Sequence, residues 1–465
     1  MKIMKFGGSS LQDAERIRQA AAIVNEAQSE GRIVVVLSAM KGITNSLIQA
    51  ARDAETGKKK YTRITAEIET RHRTAVDALY PAADGLHKVT LNKMESLLGE
   101  LKELLHGIFL IKECSPRSLD LIMSFGERLS CILMSGYLEY LGNNTAYIEG
   151  HEIILTNNSH GSAIVDFPET YRRIKSLLAK EKRIPVVTGF IAGTDNGVRT
   201  TLGRNGSDYT ASILGAALEA DCIEIWTDVD GVMSADPRYV KEACVLSQIS
   251  THEAMELSYF GAEVLHPYTM MPAVERGVPI RIKNTMNPSA PGTLISHEGT
   301  ATDQVITGIA SIENVALINV EGGGMLGIPG VASRIFAALA AAEVNIIMIS
   351  QASSEHSICI VCREEQAKKA LKSLSRELAP EVEAKKISRF ELLEKLEIVA
   401  VIGENMRGTP GISGRIFSAL GAAEVNVLAI AQGSSERNIS FVIEWKDREK
   451  ALNTIHSAFF TAVNG

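Results

Sequence analysis

The chain has 465 residues, too many for one hydrophobic core, so two or three domains are expected. A hydrophobic share of 45% with 22% charged residues is that of a globular protein, and a net charge of -7 argues against general affinity for nucleic acid or anionic membrane. No apolar run reaches spanning length, no signal-peptide core follows MKIMKF, and six scattered cysteines without zinc spacing fit free thiols in a reducing cytosol.

The opening MKIMKFGGSS reads as a short strand running into a glycine pair, followed by a helix over LQDAERIRQAAAIVNEA. Gly7 and Gly8 uncover backbone N–H groups, and Ser9 or Ser10 is placed to cap the helix. An anion can rest against that helix start with Lys5 beside it. The lysine precedes the glycines, so this is not the GxxxxGK[ST] phosphate loop. GRIVVVLSA reads as a buried parallel strand, and residues 60–110 as a lobe of long, charged, amphipathic helices. FGERLS places Glu127 after a turn in an otherwise apolar helical setting. A carboxylate there is costly unless paired with a ligand ammonium group, Arg128 or a backbone cap.

RIPVVTGFIAG and DCIEIWTDVDG are again buried strands ending in glycine or acidic residues. GRNGSDYTAS frees the backbone at Gly203 and Gly206, offers Ser207 or Asp208 as a helix cap, and projects Arg204, whose planar fork suits a carboxylate or phosphate. In WTDVDGVMSADPR, Thr227, Asp228, Asp230, Asp236 and Arg238 surround one loop; turn chemistry and a magnesium–phosphate site both account for such carboxylates. Strands alternating with helices give an α/β domain with a mostly parallel sheet over residues 1–298, its ligands expected at the strands' carboxyl ends. Lys5 and glycines for phosphate, Arg204 for a carboxylate and Glu127 for an amine together describe phosphoryl transfer to an amino acid.

After the Pro/Gly/Ser-rich stretch NPSAPGTLISHEGT the texture changes. The segment 330–361 is repeated from 411 with an offset of 81, more than half of its positions being identical. Each copy reads as a helix, an apolar strand, a polar turn and another strand, which indicates a duplicated module. GGGMLG fits GxGxxG through Gly322, Gly324 and Gly327, but the second copy has GENMRG and no acidic residue follows the next strand, which argues against a dinucleotide site.

KFGGSSL, SAMKGITNSL, SFGERLS, TGFIAG, TLGRNGSDYTAS, WTDVDGVMSADPR, GAEVLHPYTMMPA and NPSAPGTLI, in this order, resemble the aspartate kinases of the amino acid kinase family. The tandem repeat resembles that family's paired ACT domains. The resemblance implies an amino acid kinase domain over 1–298, then two α+β ferredoxin-like ACT regions at 299–391 and 392–465, with a strand near 303–312 expected to pack with the second. It implies transfer of the γ-phosphoryl group of Mg-ATP to the side-chain carboxylate of L-aspartate, giving 4-phospho-L-aspartate, the first step toward lysine, threonine and methionine. The fused aspartate kinase–homoserine dehydrogenases are resembled only in their kinase half.

By the same resemblance Lys5 and Asp208 are catalytic, and Lys5, Gly7 and Gly8 meet the phosphate. Ser38, Thr44, Glu127, Arg204 and Ser207 contact aspartate, while Thr227, Asp228, Met233 and Arg238 contact ATP. No side chain is expected as a direct metal ligand. Two departures stand out: Glu263 replaces a frequent lysine that reaches ATP phosphates and is expected to turn to solvent, and Met233 replaces a frequent tyrosine. Asn345, Gln351, Asn426 and Gln432 in the matched turns QASSEHS and QGSSERN are implied to hold an effector, threonine first and lysine as the alternative. A homodimer or higher homo-oligomer is implied. A non-catalytic amino acid sensor is the competing reading.

Overall fold

The computed structural model describes residues 1–81, 84–261, 266–297, 304–323, 330–351 and 357–460, which form two compact units. The first unit comprises Met1–Val232, Val245–Thr251 and the chain from His266 to His297. Its elements are β1 (Lys2–Phe6), α1 (Ala14–Glu30), β2 (Ile33–Leu37), α2 (Ile43–Glu55), α3 (Lys60–Leu79), α4 (Gly85–Ile111), α5 (Pro116–Tyr140), β3 (Thr145–Ile148), α6 (Gly150–Ile153), α7 (Phe167–Leu178), β4 (Ile184–Thr188), β5 (Ile191–Gly193), β6 (Arg199–Thr201), α8 (Gly206–Leu218), β7 (Cys222–Thr227), β8 (Gln248–Ser250), α9 (Thr251–Tyr259), α10 (Pro267–Glu275), β9 (Ile280–Asn284) and β10 (Thr293–Ser296). Helix α9 belongs mostly to the second unit.

Eight strands make one sheet in the order β3-β4-β2-β1-β7-β9-β10-β8. Strand β1 is central and parallel to both neighbours, with Lys5 opposite Val36 and Ile225. The runs IVVVL and IPVVT are buried throughout, because helices cover both faces and leave no residue of these strands facing water. The antiparallel pairing of β9 with β10 breaks the otherwise parallel run. Helices α3 and α4 form the expected lobe, packing Tyr61, Ile68, Leu97 and Leu101 into the same core as Phe6 and Leu37.

The start of α1 corrects one expectation. Asp13, not Ser9 or Ser10, caps it by accepting the N–H of Arg16 at 3.0 Å. Ser9 and Ser10 lie in a short 3-10 turn, Gly8–Leu11. The buried Ser10 hydroxyl is instead 3.2 Å from the Trp226 carbonyl oxygen and 2.7 Å from Thr285 Oγ1. Its capacity goes to tying sheet loops together, so the helix takes the next available cap.

The second unit contains β11 (Gly308–Glu321), α11 (Val331–Ala341), β12 (Ile346–Gln351), β13 (Ser357–Arg363), α12 (Glu364–Glu377), α13 (Ala379–Glu383), β14 (Arg389–Ile402), α14 (Ile412–Ala422), β15 (Ala429–Gln432), β16 (Asn438–Glu444) and α15 (Arg448–Phe460). The strands form an antiparallel sheet, β12-β13-β11-β14-β16-β15. The two long strands are shared: Gly308–Ile312 pairs with Ile398–Ile402 in the second module, while Leu317–Glu321 pairs with Arg389–Leu393 in the first. Ile306 and Ile309 thus join Val401, Ile416 and Phe441 in one core, and Ile387 joins Ile318, Ile335 and Leu374 in the other. A cut between 391 and 392 falls inside the continuous strand β14. Met233–Cys244 and the segment from His252 to Gly261 also belong to this unit.

Gly322 and Gly403, one repeat apart, serve this exchange. An added Cβ at Gly322 would lie 2.1 Å from the Lys386 carbonyl oxygen, and one at Gly403 would lie 2.5 Å from that of Val305. In each module the incoming segment of the other half passes too close for a side chain. The first glycine of GGGMLG is therefore a packing glycine; Gly324 and Gly327 lie outside the described residues. Gly403 has an extended backbone, φ -179, so the cost of Gly403→Ala is steric. That variant should destabilise the second unit by about 1–3 kcal/mol, read as an earlier urea transition reported by Trp445 fluorescence.

Candidate active site

Strand ends build the site. Strand β1 delivers Lys5 and then Gly7 and Gly8, β2 leads to Ser38, β4 to Phe190, and β7 to Thr227 and Asp228. The Lys5 ammonium group lies 2.6 Å from Asp208 Oδ1, both side chains being about nine-tenths buried. Asp208 stands in the first turn of α8 and pairs with Lys5, while Asn205 occupies the cap position of that helix without a side-chain capping bond. A Cβ at Gly8 would stand 2.9 Å from the Ala39 carbonyl oxygen, so close approach of two loops demands glycine there.

Glu127 lies in the middle of α5 rather than after a turn. Gly126 is helical, and it is small because an added Cβ would meet the Ala39 Cβ at 2.7 Å. That approach puts Glu127 Oε1 3.1 Å from the Ala39 N–H, which it accepts. The other oxygen is buried and has no hydrogen-bond partner among the described residues. Burial pushes the Glu127 carboxyl up to about 8, against the opposing effect of the Ala39 N–H. Arg128 is not its partner. The Arg128 Nε donates to Glu149 Oε1 at 3.1 Å, and Arg199 donates to Glu149 Oε2 at 2.7 Å. Burial works against ionisation of Glu149, yet His151, Arg128 and Arg199 hold it well below the usual carboxylate range. With Arg128 so committed, Glu127 keeps a free oxygen for a ligand cation.

Lys5, Ser38, Thr44, Glu127, Arg204, Ser207 and Asp208 line one cavity of about 240 Å3. A second cavity, of about 390 Å3, shares Ser38 and Thr44 with it and is lined also by Gly8, Lys41 and Asp228. Seven residues from four chain segments thus meet around one small space. Phe190 completes its wall with a strained backbone, φ 66, its N–H donating to Thr210 Oγ1 at 3.0 Å. The quoted TGFIAG stretch contained Phe190, but no residue-type signal marked it. Thr227 is half-buried and donates to Asp228 at 3.1 Å. Asp230 is a turn residue, accepting from Asn284 and Asn287 at 2.8 and 3.2 Å.

Met233 and Arg238 belong to the second unit. Arg238 is largely exposed and paired with Asp236 at 2.6 Å and Glu313 at 3.3 Å. Glu263 lies outside the described residues. Asn345, Gln351, Asn426 and Gln432 are all exposed at the ends of β12 and β15 or just before them, and the first Ser-Ser-Glu turn lies outside the described residues.

A cavity at the carboxyl ends of parallel strands, lined by a buried lysine near a glycine pair, an arginine and a buried carboxylate, lies where α/β domains gather their ligands. Residues 1–284 match the amino acid kinase family, and residues 318–378 and 399–459 each match the ACT domain. The chain is 38% identical to chloroplastic bifunctional aspartokinase/homoserine dehydrogenase 1 of Arabidopsis thaliana, over 98% of its own length and 51% of that protein's. It therefore spans about half the length of such relatives. Chloroplastic aspartokinase 2 of Arabidopsis thaliana is 34% identical over 98% of this chain and 84% of its own. The structures of E. coli aspartokinase III with aspartate and ADP (R-state) and with lysine and aspartate (T-state) superpose with TM-scores of 0.80 and 0.81 at 29% identity, each covering 99% of this chain. The match covers 100% of the first of those chains and 99% of the second. The chain belongs to the amino acid kinase family, in its aspartokinase branch.

The sign of one pH effect follows from Glu127. Its raised value means that the protonated carboxyl favours the folded state fully below about 4.5, and that this contribution is lost as the pH rises to about 8. Glu127→Gln removes the titration. The variant should gain stability relative to the parent between those pH values, by on the order of a few kcal/mol at the alkaline end, in urea unfolding run as a pH series.

Proposed function

We propose that the chain transfers the γ-phosphoryl group of ATP to the side-chain carboxylate of L-aspartate, forming 4-phospho-L-aspartate. The observation that carries this reading is the free, buried oxygen of Glu127 in the same cavity as Lys5 and Arg204. Glu127 takes the substrate ammonium group and Arg204 its α-carboxylate, which directs the side-chain carboxylate toward Lys5. Such a carboxylate is already a nucleophile, so no general base is needed. Positioning and charge stabilisation do the work. The bound aspartate and ADP of E. coli aspartokinase III support both ligands.

The donor set fits a nucleotide phosphate chain. Lys5 supplies a charge, and Gly8 lines the adjoining cavity of about 390 Å3. Among the described residues no group of three His, Cys, Asp or Glu side chains is arranged to hold a metal. Asp208 and Asp228, which line the two cavities, are the carboxylates that would help to hold magnesium, and the ion would supply neutralisation of phosphate charge. A dead kinase domain would have no reason to keep Lys5 and Asp208 buried as an ion pair.

The duplicated modules carry the control. An amino acid effector binds at the turns marked by Asn345, Gln351, Asn426 and Gln432. Threonine is the first candidate by the resemblance of the repeat sequence, and lysine, present with E. coli aspartokinase III, is the second. A homodimer in a reducing cytosol is the expected working form; all six cysteines are free. Among the described residues no helix is long and apolar enough to cross a membrane.

Aspartate with Mg-ATP should yield an acyl phosphate trapped by hydroxylamine, and N-acetylglutamate should not. Absence of hydroxamate from a folded, uninhibited sample overturns the assignment. Lys5→Ala should lower kcat about 100-fold with far less change in aspartate KM, because the lysine's interaction grows as phosphate charge develops. Gln351→Ala or Gln432→Ala should relieve inhibition by threonine or lysine with little loss of uninhibited kcat; full inhibition of both variants would place the effector elsewhere.

A further inference from the structure

Two turns before Glu127, the same face of α5 carries Asp120, a fully buried carboxylate outside the cavity lining. Its Oδ1 accepts from the Thr201 hydroxyl at 2.6 Å. Its Oδ2 accepts from His160 Nδ1 at 2.8 Å and from the Gly161 N–H at 3.2 Å. Since a carboxylate only accepts, the His160 proton sits on Nδ1. These donors come from two separate segments, and both border the loop that bears Arg204.

Thr201 is the last residue of β6, and the loop begins at once after it. The Leu202 N–H is held by the Phe190 carbonyl at 2.9 Å, and the Gly206 N–H by the Gly203 carbonyl at 3.1 Å. Gly203 and Asn205 take positive φ, 78 and 53, so the chain between them folds back sharply around Arg204. On the other side, the Gly161 carbonyl oxygen is the neighbour of Gly203, 3.9 Å from where its Cβ would be. Asp120 therefore fastens both the entry to the Arg204 loop and the segment that flanks it. Arg204 itself is exposed and its loop holds no buried apolar anchor between Gly203 and Asn205.

We propose that Asp120 is a positioning residue that holds the Arg204 loop in register with Glu127, so that one helix sets the separation of the carboxylate-binding and ammonium-binding groups. This rests on the aspartate reading given above. Seven residues of α-helix span about 10.5 Å, and both groups are referred to that one rigid element. An uncompensated shift of about 1 Å in such a frame costs up to about 100-fold in a reaction that depends on positioning.

The test compares full-length Asp120→Ala, Asp120→Asn and Thr201→Val with the parent. L-Aspartate and its α-amide, which lacks the charge that Arg204 binds, serve as alternative substrates. The parent should prefer aspartate strongly. Asp120→Ala should raise aspartate KM about tenfold or more with kcat within about threefold, and should cut the preference for aspartate over the amide by a similar factor. Asp120→Asn, which keeps the shape and two of the contacts, should lie between, and Thr201→Val should shift KM in the same direction. ATP KM should not move. Unchanged aspartate KM in folded Asp120→Ala, or an equal loss with both substrates, overturns the proposal. Should Asp120→Ala fail to fold, Thr201→Val decides by the same ratio. A parent without aspartate-dependent turnover overturns the aspartate reading itself and takes this inference with it, an outcome distinct from loss of the variant effect alone.

Discussion

The ion pair between Lys5 and Asp208 is the constraint around which the catalytic unit is arranged. Removing an ammonium group and a carboxylate from water costs several kcal/mol per ion, and only close, well-placed charge returns it. The pair meets at 2.6 Å because β1 is the central strand and ends at Lys5–Phe6, and because α8 presents Asp208 in its first turn. Everything else at this end follows from leaving room beside it. Gly7 and Gly8 thin the chain, Gly126 lets α5 come against Ala39, and Gly189 would otherwise drive a Cβ to 2.7 Å from that of Ser207. The result is a small polar space walled by apolar strands, where a fixed charge acts more strongly than it would in water.

Much of this was legible. Uninterrupted runs such as IVVVL announced strands buried on both faces, and a lysine before paired glycines marked the phosphate end. Other features escaped because one residue type serves two physical purposes. FGERLS reads as a turn before Glu127, yet Gly126 is a helical contact glycine, and a contact leaves no local pattern. Ser9 and Ser10 have the chemistry of caps, but Ser10 is spent on Trp226 and Thr285, more than two hundred residues away. Ser38 and Thr44 became visible only through resemblance, since nothing in their own surroundings distinguishes them. The repeat was plain at an offset of 81, but not the exchange of strand halves between its copies, because hydrophobic alternation is the same whichever neighbour a strand pairs with.

Helix α9 shows how control by the modules would have to travel. It is reached directly from β8 of the first sheet, and the chain after it returns to that unit as α10. Within the second unit it holds both modules. Glu253 accepts from the Glu404 N–H at 2.9 Å and from the Thr307 hydroxyl, and Glu256 accepts from Asn438 at 2.9 Å, all in the second module. Tyr259 donates to the Ile347 carbonyl in the first, at 3.3 Å. A change in the placement of one module against the other cannot leave all of these bonds intact. At the end of the helix Gly261 has φ 112, and an added Cβ would stand 2.5 Å from the Ser311 carbonyl oxygen.

That arrangement also sets what an effector must supply. Moving a two-state protein from almost wholly active to almost wholly inactive requires about 5.5 kcal/mol of preference for the inactive form. One small amino acid held by a polar turn rarely gives so much. Two related sites, each preferring the same state by about 100-fold, give nearly that amount together. Were each module to hold an effector, duplication would double that preference. The shared strands β11 and β14 tie the two modules together, since each module's sheet includes a stretch of both.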